Sequence, residues 1–324
     1  MTPGDPVWLG ETDVVGLISL PEAIESVERA LAQEAEGTAQ TMAKTYAAWE
    51  GGTLHALGGA IAEIGLAGTK TWVHAASATP LLAVWDAGTG LLRGVLEAFA
   101  LGQLRTAAVS AVATRWLARP DAERMAIIGT GKQALAQVAA VAAVRPLAEV
   151  RVYSPTPEHR AAFAAHLAKQ RFGIAVVESA SVAEAVAGAA VVTTATRARS
   201  PFLERSMLAG GAHVNAIGAI TRERGELGRD LVGAADRVVA DNPDDARRVS
   251  NELAERASIE PLGAVVARRL PRTAAEELTV FKAVGLGLAD VAIAAEVLSR
   301  AAARRVGRAL DPAVRVPPRW RKTP

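Results

Sequence analysis

The sequence predicts an α/β chain of two domains, a doubly wound parallel sheet joined to an α+β unit. Three observations point there. At 324 residues the chain exceeds what one hydrophobic core usually supports. From residue 124 an apolar strand runs through a glycine turn into a helix, and strand, turn and helix then alternate to about residue 242, the rhythm of a parallel sheet covered by helices. Before residue 119 the pattern is different: a helix, several short segments punctuated by glycine, and a second helix.

Each element has its own signal. Residues 20–36 read as an amphipathic helix, with Ile24, Val27 and Leu31 at helical spacing among Glu22, Glu25, Glu28 and Arg29, and Pro21 in the first turn. Residues 40–93 read as several antiparallel strands broken by glycines. Residues 105–117 read as a buried helix that Pro120 ends, which places a domain boundary at 119/120. Residues 273–308 read as a long alanine-rich helical region interrupted at Gly285 and Gly287 and returning to the first domain. The expected division is 1–119 plus about 300–324 against 120–299. Arg315, Arg319, Arg321 and Lys322 around Trp320 read as a solvated basic tail.

Composition removes several classes of function. Half of the residues are apolar, and 36 Lys and Arg against 34 Asp and Glu leave a net charge of +2 spread along the chain, so nucleic acid is not indicated. The chain has no cysteine, hence no disulfide, thiolate nucleophile or Cys-type metal site. The N-terminal segment lacks the basic start and apolar stretch of a signal peptide, and no apolar run approaches the roughly 18 residues that span a bilayer. A cytoplasmic protein without a membrane partner is expected. No His or acidic residues fall at metal-ligand spacing, and Asp241, Asp244 and Asp245 read as a solvent-facing turn, so no metal is expected.

The segment 124–134 carries the clearest chemistry. Gly129-Thr130-Gly131-Lys132-Gln133-Ala134 follows an apolar strand and opens a helix reaching about Val144, the context of a Rossmann dinucleotide site. Gly129 permits the tight turn, Gly131 leaves the pyrophosphate unobstructed, and Ala134 lets helix and strand approach. The next strand ends at Ser154 where an NAD-binding chain carries an acid. Ser154, Thr156 and Arg160 are candidate partners for a 2′-phosphate, so NADP(H) is favoured over NAD(H), with a polar turn lacking phosphate contact as the alternative. Thr194, Thr196, Asn215, Ile217 and Gly218, at the ends of later strands, complete the candidate cofactor set.

Taken in order, Gly68-Thr-Lys70, Arg105-Thr-Ala-Ala, the glycine turn, Ala212-His-Val-Asn-Ala-Ile-Gly218 and Leu278-Thr-Val-Phe-Lys-Ala-Val-Gly285 resemble the ornithine cyclodeaminase/mu-crystallin family over residues 44–298. The resemblance implies a homodimer, with a Rossmann doubly wound parallel sheet plus an α+β dimerisation/substrate domain. It also implies that Lys44, Lys70 and Arg105 hold the carboxylate of an amino or imino acid. Lys44 stands where the family usually has arginine, so a point charge replaces a planar fork. Cyclodeaminases and related alanine dehydrogenases carry an aspartate where this chain has Ile220, and isoleucine cannot titrate.

That departure shifts the expectation toward the ketimine reductase-like branch: an NAD(P)H-dependent reductase of a small, cyclic imino acid, or an amino-acid dehydrogenase in reverse. Lys70 is the candidate catalytic residue, as proton donor or as a fixed electrostatic anchor. His55 and His74 are proton carriers or packing residues, and His213 belongs to the sheet. Two alternatives stay open. One is a cyclodeaminase that recycles NAD, with Glu223 or Glu226 replacing the missing acid; the other is a non-catalytic, crystallin-like ligand-binding protein. The pocket wall, at 48–59 and 74–81, sets the substrate and is where the chain is least like the family.

Overall fold

The computed structural model describes residues 5–311 and 313–321; residues 1–4 of the N-terminal segment and Lys322 of the basic tail lie outside them. The chain opens with β1 (Val7–Leu9), α1 (Glu11–Leu17) and α2 (Leu20–Ala35). Ser19 starts α2: its backbone N–H donates to Glu22, which sits three residues on, at 2.8 Å, while Ile24, Val27 and Leu31 are buried. A meander follows, β2 (Ala39–Trp49), β3 (Gly52–Ile61), β4 (Leu66–His74), β5 (Leu81–Asp86) and β6 (Leu92–Glu97), and then the long helix α3 (Phe99–Leu117).

The second half begins with β7 (Arg124–Ile128), α4 (Ala134–Ala142), β8 (Glu149–Tyr153), α5 (Pro157–Ala168), β9 (Ala175–Glu178) and α6 (Val182–Val186). It continues through β10 (Val191–Thr194), β11 (Ala212–Ala216), α7 (Arg229–Ala234), β12 (Arg237–Ala240), α8 (Pro243–Val249), β13 (Glu260–Pro261), α9 (Leu262–Ala267) and β14 (Leu278–Lys282). The chain then forms α10 (Gly287–Arg304) and β15 (Arg308–Ala309).

Two sheets result. One has the order β15-β1-β6-β5-β4-β3-β2 and is antiparallel except where β1 runs parallel to β6. The other, β13-β12-β14-β11-β10-β7-β8-β9, is parallel throughout. From β7 the chain builds outward to β8 and β9, then crosses to β10 on the other side. The order therefore reverses at β7/β10, where a doubly wound sheet opens a crevice for a ligand.

Two readings of the sequence need correction. Residues 278–282 form no part of a long helix: LTVFK is β14, fully buried between β11 and β12, and β-branched and aromatic residues override the helical neighbourhood. The return to the first sheet accordingly begins at Gly287 rather than near 300, because α10 packs along β2, β3 and β4. Its approach is very close. A Cβ on Gly287 would lie 2.3 Å from the backbone nitrogen of Gly58, and one on Gly59 3.0 Å from Cα of Leu288.

α3 lies between the two sheets. Every residue from Thr106 to Thr114 is buried, so this helix has no polar face, as expected of one enclosed on all sides. The core cluster around it is continuous from α2 and the first sheet to Phe281 and Val239 of the second. Beyond β15, residues 313–321 are exposed, with Trp320 85% accessible.

Candidate active site

Three cations meet where α3 packs against α10, the helix that covers the first sheet. Lys70 of β4 pairs in register with Leu57 and Leu82 and points to the α10 side, where it is 3% exposed. Its ammonium is ion-paired with Asp290, in the first turn of α10 and wholly buried. Arg105 brings Nε to 3.6 Å from the other oxygen of Asp290. It lies in the second turn of α3, because the helix begins at Phe99 and not at Arg105 as the sequence suggested; its fork therefore works from the helix flank. Lys44 sits in the irregular stretch of β2 between Met42 and Thr45, half-buried.

Burial brings Lys70 down to about 8; Asp290 opposes that fall, while Arg105 and Lys44 add to it. Burial and the charge of Arg105 lower Lys44 as well. The acidic turn does not face solvent as expected. Asp244 is exposed, but Asp241 is 4% and Asp245 7% exposed. Asp241 accepts the backbone N–H groups of Val284 and Gly285 at 3.0 and 2.9 Å, and burial pushes its carboxyl up. Asp245 holds Arg248 at 2.6 Å, and Arg248 also donates to the Lys44 carbonyl at 3.1 Å, tying α8 to β2. Lys44, Lys70 and Arg105 thus stand against the buried Asp290, whose Oδ2 faces Arg105 without a hydrogen bond, and the buried Asp241, and the excess cation suits one small carboxylate.

The glycine turn has the shape a dinucleotide needs. Gly129 has φ +104°, and a Cβ there would lie 2.6 Å from the Ala195 carbonyl oxygen. Beside Gly131 there is open space, and residues 131–133 lead into the N-terminus of α4. Thr130, Lys132 and Gln133 line the same turn, Ala134 is buried under it, and Lys132 reaches within 5.6 Å of the Phe99 ring at the head of α3. The residues present fit a bound pyrophosphate.

At the end of β8, Ser154 is 4% exposed and its hydroxyl donates to the Thr156 carbonyl at 3.1 Å. Arg160 donates to the Ser154 carbonyl at 3.1 Å and faces Glu178 at 3.6 Å. Ser154 and Arg160 thus already have protein partners. Ile217 and Thr196 border the crevice, half-buried or nearly closed. Thr194 and Asn215 are fully buried. Asn215 donates to Thr114 of α3 at 2.9 Å and meets His213 at 3.1 Å, so its side chain belongs to the core between β11 and α3. His213 is fully buried, as its place in the sheet implies, and burial brings it down to about 3.

The sequence weighed Glu226 as a substitute acid, and the structure gives it another task. It is completely buried and accepts from Thr194 Oγ1, from Thr196 N and Oγ1, and from the N–H groups of Gly218 and Ala219. A carboxylate so occupied holds the loops after β10 and β11 together and has no lone pair free for substrate. Glu223 and Ile220 are exposed. Among the described residues no group of three or more His, Cys, Asp or Glu side chains could hold a metal ion, and no helix is long and apolar enough to cross a membrane.

The residue that sequence reasoning missed is Asp290. Its signal was available: an acid inside the apolar run GLADVAIAA, at a position the helix must bury, requires a cationic partner.

Known proteins resemble this chain in sequence and in fold. A Δ1-pyrroline-2-carboxylate reductase of Bacillus cereus is 34% identical over 236 residues, covering 70% of this chain and 72% of that one. The structure superimposes with a TM-score of 0.87 on the Δ1-pyrroline-2-carboxylate reductase of Thermococcus litoralis in complex with NADH and L-proline, at 28% identity over 94% of this chain and 100% of the other. It superimposes equally, at 0.87, on an archaeal alanine dehydrogenase dimer with bound NAD, at 27% identity over 95% and 99%. Residues 5–305 match the sequence profile of the ornithine cyclodeaminase/mu-crystallin family. The chain belongs to that family.

Proposed function

We propose that this chain is an NAD(P)H-dependent reductase of a small, cyclic imino acid, running as an amino-acid dehydrogenase in the opposite direction. The observation that carries the reading is the buried Lys70–Asp290–Arg105 cluster facing a dinucleotide crevice in a chain with Ile220 where cyclodeaminases carry an acid. Lys44, Lys70 and Arg105 bind the substrate carboxylate, and that grip fixes the C=N bond for attack. A nicotinamide bound at the glycine turn supplies the hydride. Lys70, as ammonium, gives a proton to the imine nitrogen while hydride arrives at carbon, and a pKa near 8 suits that transfer at neutral pH. Cyclodeamination is disfavoured because, of the two substitute acids, Glu226 is buried and fully hydrogen-bonded and Glu223 is exposed.

NADPH is the favoured donor. No acid at the end of β8 repels a 2′-phosphate, and Arg160 is within reach if it exchanges Glu178 for phosphate. The chain works as a cytoplasmic homodimer closed through its first sheet. α10 covers one face of that sheet, whereas Leu54 and Val73, paired across β3 and β4, and Met42 remain exposed on the other.

The decisive experiment follows NADPH and NADH oxidation by absorbance with Δ1-pyrroline-2-carboxylate, Δ1-piperideine-2-carboxylate, and pyruvate with methylamine. Turnover with a ring imine, with a lower KM for NADPH, is expected. No oxidation with any of them at high enzyme concentration rejects the reading, and ammonia release from L-ornithine without net NADH consumption replaces it with cyclodeamination.

A further inference from the structure

The face of the first sheet that carries Lys70 does not end at the cations. One register step along the strands, Tyr46, His55 and Trp72 stand opposite one another on β2, β3 and β4. The His55 and Trp72 rings are stacked, with centroids 4.9 Å apart and planes 18° from parallel, and Tyr46 lies 6.0 Å from His55. The indole of Trp72 is 5.6 Å from Lys70 Nζ. His55 Nε2 is fixed by the Thr53 hydroxyl at 2.8 Å, while Nδ1 is buried with no hydrogen-bond partner. The carboxylate anchor and a flat aromatic row are therefore adjacent parts of one surface, and nothing in the carboxylate grip accounts for the second part.

Charge sets what this row accepts. Lys44 and His74 are close enough to His55 to act on its protonation, and both add to the burial that keeps the imidazole neutral. The acids nearest the cations are already committed, Asp290 to Lys70 and Arg105, and Asp241 to the backbone of Val284 and Gly285. A substrate side chain ending in an ammonium would meet like charge here and no free carboxylate. A flat, uncharged ring would lie against the indole.

We propose that Tyr46, His55 and Trp72 form the side-chain subsite, selecting ring-closed imino acids with an uncharged ring and rejecting chains that carry a second ammonium. This deepens the imino-acid reading and rests on it. Steady-state kinetics of Trp72→Leu and His55→Glu test it with Δ1-pyrroline-2-carboxylate, with the open-chain imine of pyruvate and methylamine, and with L-ornithine as inhibitor. Trp72→Leu raises KM for the ring imine about tenfold, the worth of an apolar ring face lost from contact, and changes KM for the open-chain imine less than about twofold. His55→Glu lowers the inhibition constant of L-ornithine about tenfold or more, as a new carboxylate beside the pocket would. NADPH titration by fluorescence stays unchanged in both.

Equal shifts for ring and open-chain imines, together with no gain for ornithine, overturn the subsite while leaving the reductase in place. A wild-type enzyme that reduces no imine overturns both. Should Trp72→Leu lose NADPH binding, Trp72→Phe keeps a ring face and must keep the ring preference, and His55→Glu still decides the charge argument.

Discussion

Lys70 is held near the middle of its useful range by opposing neighbours, and each neighbour can be removed separately. If its ammonium is the proton donor, kcat/KM falls as pH rises through about 8. Arg105→Met removes a like charge, so the falling limb moves to higher pH while KM for the imino acid rises. Asp290→Asn removes the counter-charge, so the limb moves to lower pH. It also leaves a buried cation unpaired, at a cost of about 3–5 kcal/mol of stability by urea melting. Stability follows the opposite sign to activity. Between about 8 and the ordinary 10.5 the unfolded chain holds the Lys70 proton more tightly than the native one, so this residue's contribution to stability rises with pH across the window in which activity declines. Lys70→Met lowers kcat by about 100-fold or more if proton donation is its task, and only raises KM if it is an anchor. pH–rate profiles of the three variants distinguish these outcomes.

Among the elements, the loops after β10 and β11 owe their shape to Glu226. Glu226→Ala strands the N–H groups of Thr196, Gly218 and Ala219, and each orphaned group costs about 1–3 kcal/mol. The expected result is a raised KM for the dinucleotide, a lowered melting temperature, and a KM for the imino acid changed less. An equal change in both KM values, measured in the same assay, would contradict this division of labour. The elements themselves were readable to differing degrees. The strand, glycine turn and helix at 124–142 could be placed from sequence because backbone geometry dictates the residue types. β14 could not, since a five-residue buried strand next to an alanine-rich helix has no alternation to announce it. Lys44, Lys70 and Arg105 were found by resemblance. Asp290 could have been suspected as an acid in a buried helix, but its partner Lys70 lies 220 residues away, and the bonds of Glu226 to Thr194 and Thr196 and the stacking of His55 on Trp72 come into view only in the folded chain.

For the molecule as a whole, the sheet face opposite α10 predicts the assembly. Leu54→Asp with Val73→Asp puts like charges directly across β3 and β4, and sedimentation is expected to show a dimer for the wild type and a monomer for the double variant. If the double variant remains a dimer, the interface lies elsewhere. Because β2, β3 and β4 carry the proposed substrate row on one face and the proposed interface on the other, imine reduction is expected to weaken in the monomer while dinucleotide binding at the proposed site on the second sheet persists.

The nearness of α10 to β3 has a consequence for how variants of this chain will be interpreted. Asp290 reaches Lys70 because Gly287 and Gly59 have no side chains to keep helix and strand apart. A single methyl group at either glycine would lift the start of the helix and draw the carboxylate off the ammonium. Such a substitution would present in an assay as the loss of an ionisable group, with a displaced pH limb and a weakened hold on substrate. Yet it would change no charge and touch no ligand, and surveys that score positions by chemical functionality would pass over it.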